Sequence, residues 1–263
     1  ANVRMLGSMT PESLHRPRIG IPWRTSQEEA ERKRGKVQNY EDAVERAGGE
    51  PVLLPLTDSR SLERALDDLQ GFLLPGSPAD VDPKEYGRVN QGKSEPADGP
   101  RERTDRMILD HAFREKKPVL AICYGCQLLN VYQGGTLVQD LRSETGTKVA
   151  HRRSDLVPEP QDDPQHEVQF EGGSKLAALA GGADAKINSS HHQSIEKPGN
   201  ALKITGVAKD GIVESVEWTG DSNWVVGVQW HPERMAGDPL AEKLFADFVS
   251  AAQAARRLPA AKS

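Results

Sequence analysis

The amino-acid sequence predicts an α/β fold built on a mainly parallel central sheet. Strand-like apolar segments alternate with helical patterns along the first half of the chain, an order typical of parallel sheets. Residues 118–122 (PVLAI) form a nearly continuous apolar run, as expected of a strand buried on both faces. Short strand-like segments separated by turns follow in the second half and predict a small additional β portion.

Hydrophobic periodicity and helix-ending residues place the individual elements. Apolar and small residues recur at helical spacing between Lys36 and Gly48, and Gly48-Gly49 ends that helix. Ser59 is suited to cap the next helix. The first half is predicted to contain strands 18–22, 51–56, 71–74 and 118–122, and helices 36–48, 102–116, 124–133 and one that starts at 59. The second half is predicted to contain strands 166–170, 185–189, 202–207, 213–217 and 225–228, and a final helix 239–255.

The chain is interpreted as a single domain over residues 18–255, because no linker, repeat or low-complexity tract divides it. Residues 1–17 are predicted to form a disordered or loosely docked arm, and residues 256–263 a basic, frayed tail. Residues 79–101 are rich in Pro, Gly, Asp and Lys and predict a long surface loop. Loops of this length in compact domains are often functional.

Composition and charge argue against several classes of partner. The formal net charge of −5 and the pI of about 5.9 give no electrostatic reason to expect nucleic acid or an anionic membrane. The sequence has no apolar run of 18 or more residues and no signal-like stretch in residues 1–17. The two cysteines are typical of a reduced, cytoplasmic protein. A chain this long needs no metal or disulfide to hold its core, and no cofactor is expected.

Cys123 lies at the predicted junction between a buried strand and a helix, the position of the nucleophile in the elbow of α/β hydrolases. The helix N-terminus favours a thiolate, and the N–H of Tyr124 can bind an oxyanion. Gly125 permits a tight turn. Two other interpretations stay open here. Cys123 could be a buried structural thiol, or it could form a redox pair or half a zinc site with Cys126, although no second ligand pair is evident.

Two further segments could complete a catalytic site. His231 and Glu233 end a predicted strand and are two residues apart, so both side chains point to the same side of an extended chain. Pro232 favours an extended His231, which allows Glu233 to orient the imidazole towards a nucleophile. The turn at Gly76-Ser77 also follows a strand and can present N–H donors. A solvated histidine and an ordinary turn are the alternatives for these segments.

Four segments together point to a known group of proteins: LLPGSPADVDP, PVLAICYGCQLLNVYQGGTLVQD, INSSHHQS and VVGVQWHPE. Their order and spacing resemble the class I glutamine amidotransferase-like superfamily. More narrowly, the chain resembles the γ-glutamyl-γ-aminobutyrate hydrolases, which are grouped with the C26 peptidases, over roughly residues 18–252. This resemblance implies a flavodoxin-like three-layer sandwich with added β structure.

The resemblance also implies roles for individual residues. It makes Cys123 the nucleophile, His231 the base and Glu233 its orienting partner. The implied oxyanion hole consists of backbone N–H groups of Gly76, Ser77 and Tyr124. The implied contacts to the glutamyl α-amino and α-carboxylate groups come from Gln127 and the segment 188–193, which includes Ser189, Ser190, His191, His192 and Gln193. No residue is implied as a metal ligand.

The expected activity is cleavage of a γ-glutamyl amide bond through a γ-glutamyl thioester, with water releasing glutamate. The main alternative is a glutaminase subunit that delivers ammonia to a partner synthetase, and a second is a catalytically idle binding protein. The amine half of the substrate stays open, as does assembly into a homo-oligomer. Arg88, Lys93 and Arg101 are interpreted as solvated charges of the long loop rather than as substrate contacts. Cys126 is expected near the pocket wall, where a disulfide with Cys123 would switch the enzyme off.

Overall fold

The computed structural model describes residues 16–255. The predicted tail, and the predicted arm apart from residues 16 and 17, lie outside this range. The strands are β1 (Arg18–Pro22), β2 (Glu50–Leu54), β3 (Gly71–Leu74), β4 (Val119–Ile122), β5 (Thr136–Val138), β6 (Gln165–Phe170), β7 (Asp184–Asn188), β8 (Ser194–Lys197), β9 (Leu202–Ala208), β10 (Val213–Trp218) and β11 (Val225–Val228). The helices are α1 (Ser26–Ala30), α2 (Val37–Arg46), α3 (Ser59–Leu66), α4 (Gly99–Arg114), α5 (Tyr124–Tyr132), α6 (Leu141–Thr145), α7 (Lys175–Ala180) and α8 (Pro239–Ala255).

A nine-stranded sheet in the order β2-β1-β3-β4-β11-β10-β9-β6-β7 forms the centre of the molecule. The first five strands in this order run parallel, as the alternation of strands and helices predicts. The remaining four continue the same sheet in antiparallel fashion. The added β portion is therefore chiefly an extension of the central sheet, accompanied by a two-stranded ribbon of β5 and β8.

Helices cover both faces of the sheet, which gives the predicted three layers. One apolar core packs α3, α4 and α5 against one face, and a second packs α2, α7 and α8 against the other. Strand β4 supplies both cores, because Val119 and Ala121 point to one face while Leu120 and Ile122 point to the other. This burial on both faces is why the β4 segment lacks the alternation of polar and apolar residues found in half-exposed strands.

Several element boundaries differ from the sequence prediction. Helix α4 begins inside the segment expected to be a loop, because Asp98 caps it by accepting a hydrogen bond from the Arg101 N–H at 2.9 Å. The interpretation of Arg101 as a solvated loop charge is therefore wrong, since its side chain is fully buried in α4. The short elements α1, α6, α7, β5 and β8 were not predicted. Within residues 16–255, no helix combines the length and apolar character needed to cross a membrane.

Candidate active site

The carboxyl ends of three neighbouring parallel strands bring the predicted catalytic segments together. Strand β4 lies between β3 and β11 in the sheet. Strand β4 leads into Cys123, β3 leads into the turn at Gly76, and β11 leads into His231. Side chains that follow adjacent parallel strands share one edge of the sheet, which is where open α/β folds bind ligands. All three residues line one cavity of about 200 Å³, a size that suits a small molecule.

Cys123 occupies a sharp turn between β4 and α5. Its backbone has φ 52° and ψ −108°, a conformation that residues with a Cβ rarely adopt. Its N–H donates to the Val228 carbonyl oxygen at 2.8 Å, which ties the turn to the end of β11. A Cβ on Gly125 would lie 2.3 Å from the Leu74 carbonyl oxygen. The close approach of α5 to β3 therefore requires glycine at position 125, and it fixes the direction of the Cys123 side chain.

His231 and Glu233 form a buried hydrogen-bonded pair. The Nδ1 of His231 lies 2.7 Å from Oε1 of Glu233, in the first turn after β11. The Asn188 side chain makes two hydrogen bonds with the His231 backbone. Its Nδ2 donates to the His231 carbonyl oxygen and its Oδ1 accepts from the His231 N–H, each at 2.9 Å. The orienting geometry expected from the His-Pro-Glu spacing is therefore present, and it excludes the alternative of a solvated histidine.

Electrostatics favour the protonated form of His231. Burial alone would lower the pKa of its imidazole, but the Glu233 carboxylate and the Cys123 sulfur outweigh it and raise the pKa to about 9. The pKa of Glu233 is lowered, because His231 and Arg234 overcome the effect of burial. At neutral pH the imidazole therefore carries a proton beside the Cys123 sulfur.

Backbone donors near the sulfur differ in their availability. The N–H of Gly76 donates to the Tyr40 hydroxyl oxygen at 3.0 Å and is therefore engaged. The N–H of Tyr124 stands in the first turn of α5, where no helical carbonyl can accept it. Ser77 follows Gly76 at the cavity wall, and no acceptor pairs with its N–H among residues 16–255. A Cβ on Gly76 would lie 3.0 Å from Cε1 of His231, so this turn needs glycine for space.

The predicted substrate-binding residues divide into two groups. Gln127, Ser190, His191 and His192 line the cavity. Ser189 and Gln193 are buried behind its wall, where the Ser189 hydroxyl donates to the His151 carbonyl at 3.0 Å. The Gln193 amide donates to the Ser94 hydroxyl at 2.8 Å and to the Gln139 carbonyl at 2.9 Å. These two residues therefore brace the 188–193 segment.

The cavity-lining histidines have different partners. The Nε2 of His192 lies 3.0 Å from Oδ1 of Asp80, and this carboxylate raises the pKa of His192 against the opposing effect of burial. His191 directs both ring nitrogens away from the cavity, with Nδ1 on the Gln193 carbonyl at 2.9 Å and Nε2 towards Glu214. His192 is thus the member of the pair whose ring can respond to a bound ligand.

Sequence reasoning missed three cations at the cavity: Arg24, Lys36 and Arg234. Arg24 pairs with Glu28 at 3.2 Å and Arg234 with Asp163 at 2.7 Å, whereas Lys36 forms no ion pair with any residue in the range 16–255. The pKa of Lys36 is lowered, first by partial burial and then by the neighbouring arginines. These residues come from separate segments with no motif, so periodicity and spacing carried no signal for them.

Arg101 is a buried residue that donates hydrogen bonds to backbone segments beside the cavity. Its guanidinium donates to the Pro75 carbonyl at 2.6 Å and to the Arg24 carbonyl at 2.9 Å, and it pairs with Asp105 at 2.8 Å. It also lies 4.8 Å from the centre of the Tyr124 ring. One buried cation therefore joins the Gly76 turn to the start of α5.

Cys126 is placed away from the cavity. It is fully buried, and its Sγ would lie only 2.8 Å from a Cβ on Gly227, so the thiol packs against β11. Burial, followed by the Cys123 charge, raises the pKa of the Cys126 thiol. Both cysteines are free in this structure. The expectation that Cys126 lies at the pocket wall is not met, and a buried thiol of raised pKa is poorly suited to resolve a disulfide.

Comparisons with known proteins show the family of this chain. The model of the family Peptidase C26 matches residues 17–233. The chain belongs to the peptidase C26 family. It is 36% identical to the γ-glutamyl-γ-aminobutyrate hydrolase PuuD of Escherichia coli over 221 residues, 82% of this chain and 85% of that protein. It is 31% identical to protein NtpR of Enterococcus hirae over 211 residues, 80% of this chain and 86% of that protein.

A solved structure supports the fold of this C26 member. A Thermoplasma acidophilum protein, described as one of the subunits of a GMP synthase, superimposes with a TM-score of 0.63, covering 92% of this chain and 96% of that chain. The two sequences share 14% identity, so the likeness concerns the fold alone. The family and these relatives identify this chain as a hydrolase of the C26 group.

Proposed function

We propose that this C26 member is a cysteine amidohydrolase that cleaves γ-glutamyl amides through a γ-glutamyl thioester. The observation that carries this proposal is that Cys123 and His231 line one cavity on the carboxyl edge of β4 and β11, with Glu233 hydrogen-bonded to His231. The relatives named as γ-glutamyl-γ-aminobutyrate hydrolases support the γ-glutamyl part of the substrate. The three cationic side chains that line the cavity, Arg24, Lys36 and Arg234, support a substrate that carries carboxylates.

The first half of the proposed reaction forms the thioester. The Cys123 thiolate attacks the γ-carbonyl carbon, and the carbonyl oxygen becomes an oxyanion bound by the N–H groups of Tyr124 and Ser77. Each such donor contributes about 3–4 kcal/mol to transition-state stabilisation. The His231 imidazolium then gives its proton to the amide nitrogen, because an amine anion is too basic to leave. The C–N bond breaks and the free amine departs.

The second half hydrolyses the thioester. His231 is now neutral and accepts a proton from water, whose oxygen attacks the thioester carbon. The C–S bond breaks, glutamate leaves, and the thiolate and imidazolium are restored. Glu233 keeps the Nδ1 of His231 hydrogen-bonded throughout, so that Nε2 faces the reacting groups.

Ionic groups at the cavity account for recognition of a γ-glutamyl group. The ammonium of Lys36 is left to neutralise a substrate carboxylate, with Arg24 and Arg234 adding to the positive field. Asp80 and His192 also line the cavity and form a polar pair, which together with Gln127 and Ser190 is suited to hydrogen bonds with the α-amino side of the glutamyl group. A small cavity lined by charged side chains favours an amino acid conjugate over a protein chain.

Glutamate release from a panel of γ-glutamyl compounds tests the proposal. The panel pairs γ-glutamyl-γ-aminobutyrate with γ-glutamyl-butylamine, which lacks the second carboxylate, and includes γ-glutamyl peptides and glutamine. Hydroxylamine should intercept the thioester as γ-glutamyl hydroxamate. Cys123→Ala should abolish both products, and Cys126→Ala is the matched control, because its thiol lies outside the cavity. Full turnover by Cys123→Ala would overturn the proposal.

The same panel separates the rival functions. A glutaminase subunit should hydrolyse glutamine in preference to other γ-glutamyl amides and should need a partner synthetase for full activity. An idle binding protein should release no glutamate and form no hydroxamate. Either result contradicts the proposed hydrolase, whereas free activity on γ-glutamyl amines supports it.

A further inference from the structure

A second cluster of titratable side chains lies behind the wall of the active-site cavity. His151, His166, His191 and Glu214 come from four separate segments, and their nearest ligand atoms lie within 4.8 Å of one another. The side chains of His151, His191 and Glu214 are 1% exposed or less, and that of His166 is 9% exposed. The proposed reaction uses none of these four groups directly.

Three imidazole nitrogens converge on one carboxylate oxygen. The distances to Oε1 of Glu214 are 3.4 Å from Nδ1 of His151, 3.3 Å from Nε2 of His166 and 3.4 Å from Nε2 of His191. Ligand atoms bonded tetrahedrally to zinc at about 2.0–2.1 Å are separated by about 3.3 Å. The three nitrogen–oxygen spacings therefore match three of the six edges of a tetrahedral zinc site, and all four atoms lie within 4.8 Å of one another.

The outer nitrogens of the histidines have partners that leave the inner ones free to bind a metal. Nδ1 of His191 donates to the Gln193 carbonyl at 2.9 Å, and Nδ1 of His166 donates to the Glu167 carbonyl at 3.2 Å. Because a carbonyl only accepts, these nitrogens carry the protons, and each neutral ring keeps a lone pair on Nε2. Nε2 of His151 pairs with Asp210 at 3.0 Å, the carboxylate–histidine arrangement that orients metal ligands.

Four of the inward-facing atoms lack hydrogen bonds within the described part of the chain, whereas Nδ1 of His151 also lies 3.3 Å from the Ser189 hydroxyl oxygen. Both carboxylate oxygens of Glu214, together with Nε2 of His166 and of His191, are buried without a hydrogen-bond partner among residues 16–255. A bare imidazole lone pair facing a carboxylate is repulsive, and unpartnered buried polar groups are costly. A cation placed between these atoms removes the conflict.

We infer that His151, His166, His191 and Glu214 form a structural site for a divalent transition metal, with Zn²⁺ as the best match. Three imidazole nitrogens and one carboxylate oxygen suit Zn²⁺, and a site with four protein ligands is closed, as structural zinc sites are. His166, the most exposed ligand, gives the metal a route in. Because His191 adjoins Ser190 and His192, the metal would hold the wall of the active-site cavity.

Metal content measured on the tag-free full chain tests the inference. After treatment with a chelator and titration with Zn²⁺, we expect one tightly bound equivalent per chain and a rise in Tm. X-ray absorption of the zinc form should show only nitrogen and oxygen ligands at about 2.0 Å. The same experiments on Cys123→Ala should be unchanged, which separates this site from zinc captured by the active-site thiolate.

Variants provide the decisive comparison. Glu214→Gln should lose the stoichiometric metal, and Asp210→Asn should weaken Zn²⁺ binding by about 10- to 100-fold through its effect on His151. Glu167→Gln, an exposed neighbour of His166, is the matched control and should bind like wild type. If Glu214→Gln does not fold, the wild-type titration still decides. No stoichiometric binding of Zn²⁺ or Co²⁺, or a spectrum containing sulfur ligands, would overturn the inference.

Discussion

At the scale of single residues, the site depends on conformations and charges that the surrounding structure imposes. Cys123 is held at positive φ, and His231 is kept protonated although it is buried. Both conditions oppose the intrinsic preference of the residue, so neighbouring groups must stabilise them. Glu233 acts on His231 through charge, and the fixed turn acts on Cys123 through geometry.

Replacing Glu233 with glutamine should preserve the shape of the pair while removing its charge. We expect kcat/KM to fall by roughly 10²- to 10⁴-fold, because the imidazole loses its orientation and its stabilising charge. The alkaline limb of the kcat/KM profile, which should lie near the His231 pKa of about 9, should move to lower pH because the imidazolium is less stable without Glu233. An unshifted limb would contradict this role, and Glu63→Gln on the exposed side of α3 serves as control.

Lys36 should affect substrate binding more than the chemical step. In Lys36→Ala we expect KM for a γ-glutamyl amide to rise by about tenfold with a small change in kcat, because a partly exposed charged contact is screened by solvent. Raising the ionic strength should reduce the difference in KM between Lys36→Ala and wild type. Lys33→Ala removes a nearby exposed charge outside the cavity and should behave like wild type. A fall in kcat at constant KM would refute this assignment.

At the scale of secondary-structure elements, the shape of the candidate active site depends on how closely α5 approaches β3. Gly125 lets the first turn of α5 pack against the carbonyl of Leu74. Arg101, on α4, fastens the Gly76 turn and the Tyr124 ring to the same region. The elbow is thus held by three elements, and the strained φ of Cys123 is a consequence of their packing.

Gly125→Ala should disturb this packing directly. The new Cβ would stand 2.3 Å from a backbone oxygen, and neither element can move without displacing the other. We expect the free energy of unfolding to fall by about 1–3 kcal/mol. We expect kcat/KM to fall by a larger fraction of its wild-type value than the free energy of unfolding does. Urea unfolding and kcat/KM measure the two effects. Gly99→Ala, at an open position on α4, should be neutral or slightly stabilising.

At the scale of the whole molecule, a buried ion pair links stability to pH. Arg101 and Asp105 are both fully buried, and burial raises the pKa of Asp105 to about 6 in spite of its partner. Between its unfolded pKa and its folded pKa, the folded state therefore retains a proton that the unfolded chain has released. Protonated Asp105 therefore stabilises the folded state at pH values below the pKa of this residue in the unfolded chain. This stabilisation is lost as the pH rises through the pKa of Asp105 in the folded state.

Asp105→Asn should remove this pH dependence. We expect wild type to lose more unfolding free energy than the variant between about pH 4 and pH 6.5, by an amount on the order of 3 kcal/mol for a shift of about two pKa units. Urea unfolding at several pH values gives the two slopes. The absolute stability of the variant does not affect this test, because only the slopes are compared. Equal slopes for wild type and variant would show that Asp105 does not control how the unfolding free energy changes with pH.

Local patterns in the sequence were sufficient for the parallel half of the fold and for the catalytic segments. The apolar run before Cys123 predicts β4, and strand 225–228 and helix 239–255 agree with the bounds of β11 and α8. Cys123, Gly76 and His231 could be grouped in advance because the carboxyl ends of adjacent parallel strands meet at one edge. Strands that alternate weakly, such as the polar β8, carried too little signal to be placed.

The tertiary structure alone decided which other side chains reach the site and which stand behind it. Lys36 and Tyr40 lie on or beside α2, and the sequence shows only their helical spacing, not the cavity they face. Around Glu214, the Thr147 hydroxyl reaches the Asp210 carboxylate across 63 positions of the chain. Long-range contacts of this kind depend on how the antiparallel strands extend the central sheet, and no local spacing encodes them. The sequence determined which residue is the proposed nucleophile, and packing determined the charges and partners around it.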